Sequence, residues 1–72
     1  MKVIVNGEKK EFSEPITLAD LLAHLELSAV RIAVELNHNV VRRAFWAETN
    51  LRENDKIEVV HFVGGGSTYF GF

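Results

Sequence analysis

The chain has 72 residues, of which 47% are hydrophobic and 25% charged, a composition typical of one small globular domain rather than of a disordered chain. Eight basic residues against ten acidic ones leave a formal net charge of -2, which argues against nucleic-acid binding because such proteins usually carry a basic surplus. Cysteine is absent, so the sequence excludes disulfides, thiolate metal sites and a cysteine nucleophile.

Nothing in the sequence resembles a targeting or membrane segment. No apolar run approaches the ~20 residues of a membrane-spanning helix, and Met1 leads directly into a strand pattern rather than into a signal peptide. We therefore expect a cytoplasmic, monomeric protein with no membrane partner. Arg42 and Arg43 are too few to hold nucleic acid at physiological salt, and we interpret them as part of a solvated loop.

The first elements predict a β-hairpin followed by one helix. Residues 2–5 and 8–12 have strand patterns, and Asn6-Gly7 between them is typical of a two-residue hairpin turn. Thr17 then has the character of a helix N-cap, with Asp20 in an imperfect capping box. The helix should be about nine residues long, with its apolar stripe on one face. The residues of that stripe are Leu18, Leu21, Leu22 and Leu25.

Three further strands are predicted after the helix. Residues 30–36 alternate apolar and polar with period two, residues 37–39 form a turn, and Val40-Val41 begins a short strand. The next segment predicts a loop with one helical turn in which Phe45 or Trp46 fills the edge of the core, together with Leu51. After a tight turn at Asn54-Asp55, residues 56–62 form the last strand.

This order of elements predicts an α+β fold. A hairpin crossed by one helix, with the final strand joining the sheet, corresponds to the β-grasp (ubiquitin-like) arrangement, a mixed sheet of about four to five strands crossed by one helix. We place the β-grasp domain at residues 1–63 and a flexible glycine-rich tail at residues 64–72. The order follows from the sequence, whereas the strand pairing is inferred by analogy with that fold.

Few side chains are candidates for catalysis. His24, His38 and His61 lie on a predicted helix surface, turn and strand without metal-ligand spacing, so we expect no metal site and no bound cofactor. The hydroxyl residues do not lie in a nucleophile-elbow pattern. We therefore expect that the chain is not an enzyme.

The most unusual stretch is Gly64-Gly65-Gly66, directly after the last predicted strand. Three glycines lose the maximum backbone entropy when they are fixed, so they favour neither helix nor strand. They could form a plain linker, or a thin tail without side chains that threads into a narrow site on another protein. The glycines alone do not decide between these interpretations.

The chain resembles the thiamine-biosynthesis sulfur carrier family, ThiS. The resemblance rests on the segment Ile32-Ala33-Val34-Glu35-Leu36-Asn37, the loop Phe45-Trp46-Ala47-Glu48-Thr49, and the stretch from Asp55 to Gly66 that ends in glycines. It covers residues 1–66 in length and element order. One departure is that such carriers are active with the diglycine at the very end, whereas here residues 67–72 follow.

The resemblance implies a protein substrate rather than a catalyst. A ThiF-like adenylating enzyme would join the Gly66 carboxylate to AMP from ATP, and a sulfur donor would convert the product to a thiocarboxylate. A ThiG-like thiazole synthase would take the sulfur into the thiazole ring of thiamine. Gly66 would carry the reactive carbonyl, and Gly64 and Gly65 would be the threading segment.

Two alternatives remain open. One is a sibling sulfur carrier for molybdopterin or for cysteine or homocysteine synthesis, with the same tail chemistry and a different acceptor. The other is a non-catalytic ubiquitin-like interaction module whose glycines are only a linker.

Two further expectations concern the end of the last strand. If Ile57 and Val59 face the core, Val60 and Phe62 must point outward and could dock a partner. Because Gly66 is joined to Ser67 by a peptide bond, a sulfur carrier with this sequence would be a precursor. We expect a processing protease, a metalloprotease of the deubiquitinase type, to cut between them; otherwise the extra residues are a remnant or a harmless extension.

Overall fold

A mixed β-sheet with one α-helix packed across it forms the protein. The computed structural model describes residues 1–27, 31–63 and 68–71, and at residues 62, 63 and 68–71 it describes the backbone. The strands are β1 (Lys2–Val5), β2 (Glu8–Glu11), β3 (Ile32–Leu36), β4 (Asn39–Val41), β5 (Lys56–Val63) and β6 (Thr68–Gly71); the helix α1 is Leu18–His24, and a 3₁₀ helix covers Arg43–Glu48.

The strand order confirms the β-grasp prediction. Five strands lie in the order β2-β1-β5-β3-β4, and β6 pairs with β5 outside that path. Strands β1 and β5 run parallel, and every other pair is antiparallel. The central strand is therefore β5, the strand that leads into the glycine stretch.

The first hairpin and the helix form as the sequence predicts. Asn6 and Gly7 have φ of 48° and 86°, the left-handed conformation that a two-residue hairpin turn requires. Thr17 accepts a hydrogen bond from the Asp20 N–H while the Asp20 carboxylate accepts one from the Thr17 N–H, which completes the capping box. Helix α1 has seven residues rather than about nine.

The core lies between α1 and one face of the sheet. The apolar stripe of α1 packs against the inward-facing residues of β1, β3 and β5. The helix presents one apolar face because its side chains repeat every 3.6 residues, and each strand presents one because its side chains alternate every two residues. Ile57 and Val59 are fully buried, as predicted. The buried residues are Val3, Val5, Ile16, Leu18, Leu21, Leu22, Ile32, Val34, Trp46, Leu51, Ile57 and Val59.

Trp46, and not Phe45, fills the edge of the core. The Trp46 indole is buried and its Nε1–H donates to the carbonyl oxygen of Val41 at 2.8 Å, whereas the Phe45 side chain is 53% exposed. The sequence left both residues open because they are adjacent aromatics. The 3₁₀ helix decides between them by turning one side chain inward and the other outward.

The third strand is shorter than predicted. It begins at Ile32 rather than at residue 30, because Arg31 has a φ of 65°, outside the extended region. Val30 lies outside the described residues. The fourth strand begins one residue earlier than predicted, at Asn39.

No helix in the described part of the chain is long and apolar enough to cross a membrane.

Candidate functional site

The carboxyl-terminal half of β5 is the candidate site, since it leads directly to the glycines. Residues 64–66, the predicted carrier and threading positions, lie outside the described residues, as does Ser67. The described part of the site is β5, the strand that directly precedes the glycines. Strand β5 ends at Val63, one residue later than predicted.

The outer face of β5 changes from charged to apolar along the strand. Lys56 and Glu58 are exposed, and Val60 on the same face is partly buried. The residues opposite Val60 on the neighbouring strands are Ala33 of β3 and Gly71 of β6. Because directly opposite residues share a face, Val60 stands between two small neighbours. The three residues form an apolar surface with no long side chain, called here the low apolar surface.

Val60 and Phe62 were predicted to point outward as a docking surface. The outward position of Val60 follows from the burial of Val59 before it, because successive side chains point to opposite faces. Phe62 is described only by its backbone, which pairs with Tyr69, so the direction of its side chain stays a prediction. Docking at this face likewise stays a prediction.

Strand β6 is a feature that the sequence analysis did not predict. Residues Thr68–Gly71, placed in the tail by that analysis, pair antiparallel with β5, from Val63 opposite Thr68 to Val60 opposite Gly71. The four residues 64–67 thus connect two neighbouring strands. A short strand rich in glycine and aromatic residues after a glycine triplet gives little periodicity, so the sequence alone could not identify it. The division of the chain at residue 63 stays a prediction.

One edge of β5 is completed by two strands and one side chain. Strand β1 pairs with β5 at Lys56 and Ile57, and β6 pairs with it from Val60 onward. Between them, the Asn6 side chain binds both the N–H and the carbonyl of Val59. The amide of Asn6 therefore replaces a backbone peptide where β1 has already turned away, and it fixes β5 directly before Val60.

The histidines occupy the kinds of position that the sequence indicated. His24 is exposed on α1 and its ring contacts that of Phe12 in a tilted arrangement, with ring centroids 5.3 Å apart and an interplanar angle of 49°. His61 lies in β5 opposite Ile32. His38 is exposed in the β3–β4 turn.

Among the described residues, the structure brings together a group of potential metal ligands that the sequence analysis missed. Glu35, His38 and Glu58 offer ligand atoms that all lie within 4.8 Å of one another. His38 follows Glu35 closely, but Glu58 is distant in sequence and joins them only through the register of β3 and β5. This group lies at the opposite end of β5 from the glycines.

Arg42 and Arg43 are both exposed, as a solvated loop predicts. The Arg43 guanidinium lies over the Trp46 ring, with its carbon 5.8 Å from the ring centroid. This contact lies within the distance at which a cation is attracted to the ring face. Arg43 therefore also covers the buried indole.

Comparison with known proteins gives a consistent result. The sequence model of the ThiS family matches residues 3–66. The sulfur carrier protein ThiS of Bacillus subtilis is 42% identical over 63 residues, which cover 86% of this chain and 96% of that protein. A thiazole synthase of Paramagnetospirillum magneticum is 39% identical over 67 residues, covering 93% of this chain; the chain spans about a fifth (21%) of that protein's length.

A solved structure agrees with these sequence matches. The crystal structure of the thiamine biosynthesis protein ThiS from Geobacter metallireducens superposes with a TM-score of 0.79 at 30% identity. The superposition covers 92% of this chain and all of that one.

Proposed function

The chain belongs to the ThiS family of sulfur carrier proteins, and from this membership we propose that it carries sulfur as a thiocarboxylate on Gly66 for the thiazole ring of thiamine. A member of this family is a carrier and not itself an enzyme. The observation that supports the proposal most directly is that the family match extends through Gly66. The fold agrees, because the central strand β5 leads into the glycines.

The chemistry needs an activated carboxyl group. A carboxylate is a poor acyl donor because an oxide is a poor leaving group. In the proposed activation, an oxygen of the Gly66 carboxylate attacks the α-phosphate of ATP and pyrophosphate leaves. A sulfide equivalent then attacks the acyl carbon, AMP leaves with its oxygen, and the new C–S bond completes the thiocarboxylate. The chain itself binds no cofactor in this scheme, and the partner enzyme uses the ATP.

Two partners follow from this proposal. The first is a ThiF-like adenylating enzyme, which would receive the glycines in a narrow channel that side chains could not enter. The second is a ThiG-like thiazole synthase. Its support is that the relative named thiazole synthase contains a segment similar to this chain within its own, longer polypeptide. We place the reaction in the cytoplasm, where ATP is available.

The peptide bond between Gly66 and Ser67 means that the chain must be cut before it can be activated. An amide has no free carboxylate oxygen to attack ATP. The pairing of Thr68 with Val63 supports the same conclusion. It joins the residues on both sides of positions 64–67 to one sheet, whereas a tail that threads into a channel must have a free end. We propose that a protease, of the deubiquitinase metalloprotease type, cuts between Gly66 and Ser67.

The test compares one form that ends at Gly66 with one that continues to Phe72. Each is given ATP and the ThiF-like enzyme, and pyrophosphate exchange is measured. The short form should exchange, and the long form should be inert until it is incubated with cell extract. Exchange by the uncut long form would refute the precursor proposal, whereas no exchange by either form would remove the carrier proposal.

A further measurement identifies the product and the acceptor. With a sulfur donor added, mass spectrometry of the short form should show replacement of one oxygen by sulfur. Transfer of that sulfur to a ThiG-like thiazole synthase should follow. Transfer only to a molybdopterin synthase would instead favour the sibling carrier.

A further inference from the structure

Glu35, Glu58 and His38 form a compact group on the outer side of the sheet, away from the glycines. Glu35 of β3 and Glu58 of β5 are directly opposite each other in the antiparallel register, so their side chains leave the same face. His38 lies in the turn that follows β3. The ligand atoms of all three residues lie within 4.8 Å of one another.

In the described part of the chain, the two carboxylates face each other with no lysine or arginine ion pair to compensate them. Like charges at directly opposite positions destabilise an antiparallel pair. Within the described residues, neither Glu35 nor Glu58 has a lysine or arginine nitrogen within 4 Å, since the salt bridge found there joins Lys10 to Glu8. The residue opposite Glu35 on its other side is Val40, which offers no charge. A bound cation would convert this repulsion into attraction.

The turn that carries His38 is fixed against β5. Asn37 and His38 have φ of 51° and 73°, the geometry of a two-residue hairpin turn. The Asn37 side chain accepts a hydrogen bond from the Lys56 N–H at 2.9 Å and donates one to the Asp55 carboxylate at 3.0 Å. These bonds join the β3–β4 turn to the start of β5, so they hold the backbone that carries His38 beside the backbone that carries Glu58.

We propose that Glu35, Glu58 and His38 form a binding site for a zinc ion. One imidazole nitrogen with two carboxylate oxygens is a donor set that suits Zn²⁺, whereas Mg²⁺ and Ca²⁺ prefer oxygen ligands alone. Ligands of one tetrahedral zinc ion lie about 3.4 Å apart. Both Glu58 and His38 are exposed, so their side chains can rotate to bring the ligand atoms from within 4.8 Å of one another to the shorter spacing around zinc. Water would complete the coordination.

The site is separate from the proposed carrier chemistry. Glu58 lies five residues before Val63 in an extended strand, about 17 Å from it along β5. Zinc bound there would join β3, β5 and the β3–β4 turn without contacting the tail. The proposal therefore does not depend on the identity of the sulfur acceptor or on cleavage of the chain.

The test is a titration of the full metal-free chain with zinc chloride. Calorimetry should show a single zinc ion bound, and NMR should show shifts centred on the His38 ring and the two glutamates. Loss of an outer-shell partner already weakens metal binding by about 10- to 100-fold. His38→Asn, Glu58→Gln and Glu35→Gln should therefore each weaken binding by at least about tenfold. Asparagine is chosen at residue 38 because it tolerates the left-handed backbone.

A matched control and a second measurement distinguish this site from adventitious binding. His24→Gln, which removes an exposed histidine from α1, should leave zinc affinity unchanged. Without zinc, Glu58→Gln should raise the melting temperature by removing one of two like charges, and zinc should no longer raise it further. The proposal is overturned if the wild-type chain binds no zinc, if His38→Asn and Glu58→Gln bind it as well as the wild type, or if Mg²⁺ displaces it.

Discussion

Asn6 and Val59 are joined by two hydrogen bonds between one side chain and one backbone residue. Asn6 Nδ2 donates to the Val59 carbonyl oxygen at 3.1 Å, and the Val59 N–H donates to Asn6 Oδ1 at 2.9 Å. Asn6 therefore has two roles, because its positive φ also turns the first hairpin. It links the hairpin to the central strand just before the surface proposed for docking.

Asn6→Gly should separate these two roles. Glycine retains the left-handed turn but removes the amide, which leaves the partly buried N–H and carbonyl of Val59 without their partner. We expect a loss of about 1–3 kcal/mol in the free energy of unfolding, measured by urea denaturation. Asn54→Gly is the control, since Asn54 also has a positive φ of 69° and its side chain makes no hydrogen bond within the described residues. A similar loss in both variants would show that the Asn6 amide contributes little.

Trp46→Phe should destabilise the protein more than Phe45→Ala, although the second change removes more atoms. The indole of Trp46 is buried and donates to Val41, so phenylalanine leaves a carbonyl unsatisfied and a small cavity. We expect a cost of about 1–3 kcal/mol. Phe45 is 53% exposed, so its truncation should change stability by no more than about 0.5 kcal/mol. Thermal denaturation of the two variants checks this order.

Thr17→Ala should weaken α1 by removing the side-chain half of the capping box. The Asp20 N–H would lose its acceptor at 3.1 Å, at a cost of about 0.5–2 kcal/mol in unfolding free energy. Ser13→Ala, at an exposed position before the helix, is the matched control and should be neutral. Equal stability of the Thr17 and Ser13 variants in chemical denaturation would contradict a role for the cap.

Val60→Asp should impair activation by the adenylating enzyme while the fold is retained. A charge would then occupy the low apolar surface between Ala33 and Gly71, and a partner that covers it would have to desolvate that charge. We expect at least about a tenfold loss in the rate of pyrophosphate exchange, which corresponds to about 1.4 kcal/mol. The form that ends at Gly66 is used, so that cleavage does not limit the rate.

Val40→Lys provides the control for this experiment, because it also introduces a charge but does not place a third carboxylate opposite Glu35. Val40 is 70% exposed on the same outer face, but it lies on the edge strand β4, away from the end of β5. Exchange should be unchanged in this variant. Phe62→Asp should behave like Val60→Asp if the side chain of Phe62 points outward as predicted. Unchanged exchange in both the Val60 and Phe62 variants would eliminate the docking surface.

Much of this protein is determined by local sequence. The Asn6-Gly7 turn and the capping box of Thr17 and Asp20 form as predicted, because each depends on residues within one turn or a few positions. Three of the four predicted stripe leucines are buried on α1, whereas Leu25 is the C-cap of the shorter helix and is partly buried. The alternation that buries Ile57 and Val59 is equally local. From the order of these elements, together with the resemblance of residues 1–66 to ThiS, the fold and the family could be named before the structure was known.

The tertiary structure decided what depends on contacts between distant residues. Which of Phe45 and Trp46 enters the core depends on how the 3₁₀ helix packs against α1. The bond of Asn6 to Val59 depends on where β1 leaves β5, and the meeting of Glu35 with Glu58 depends on the register of β3 against β5. That register is set by how the whole core packs, since a shift of one residue would move every side chain to the opposite face. Strand β6 belongs to the same class, because its pairing is defined by the free edge of β5 rather than by any pattern in its own four residues.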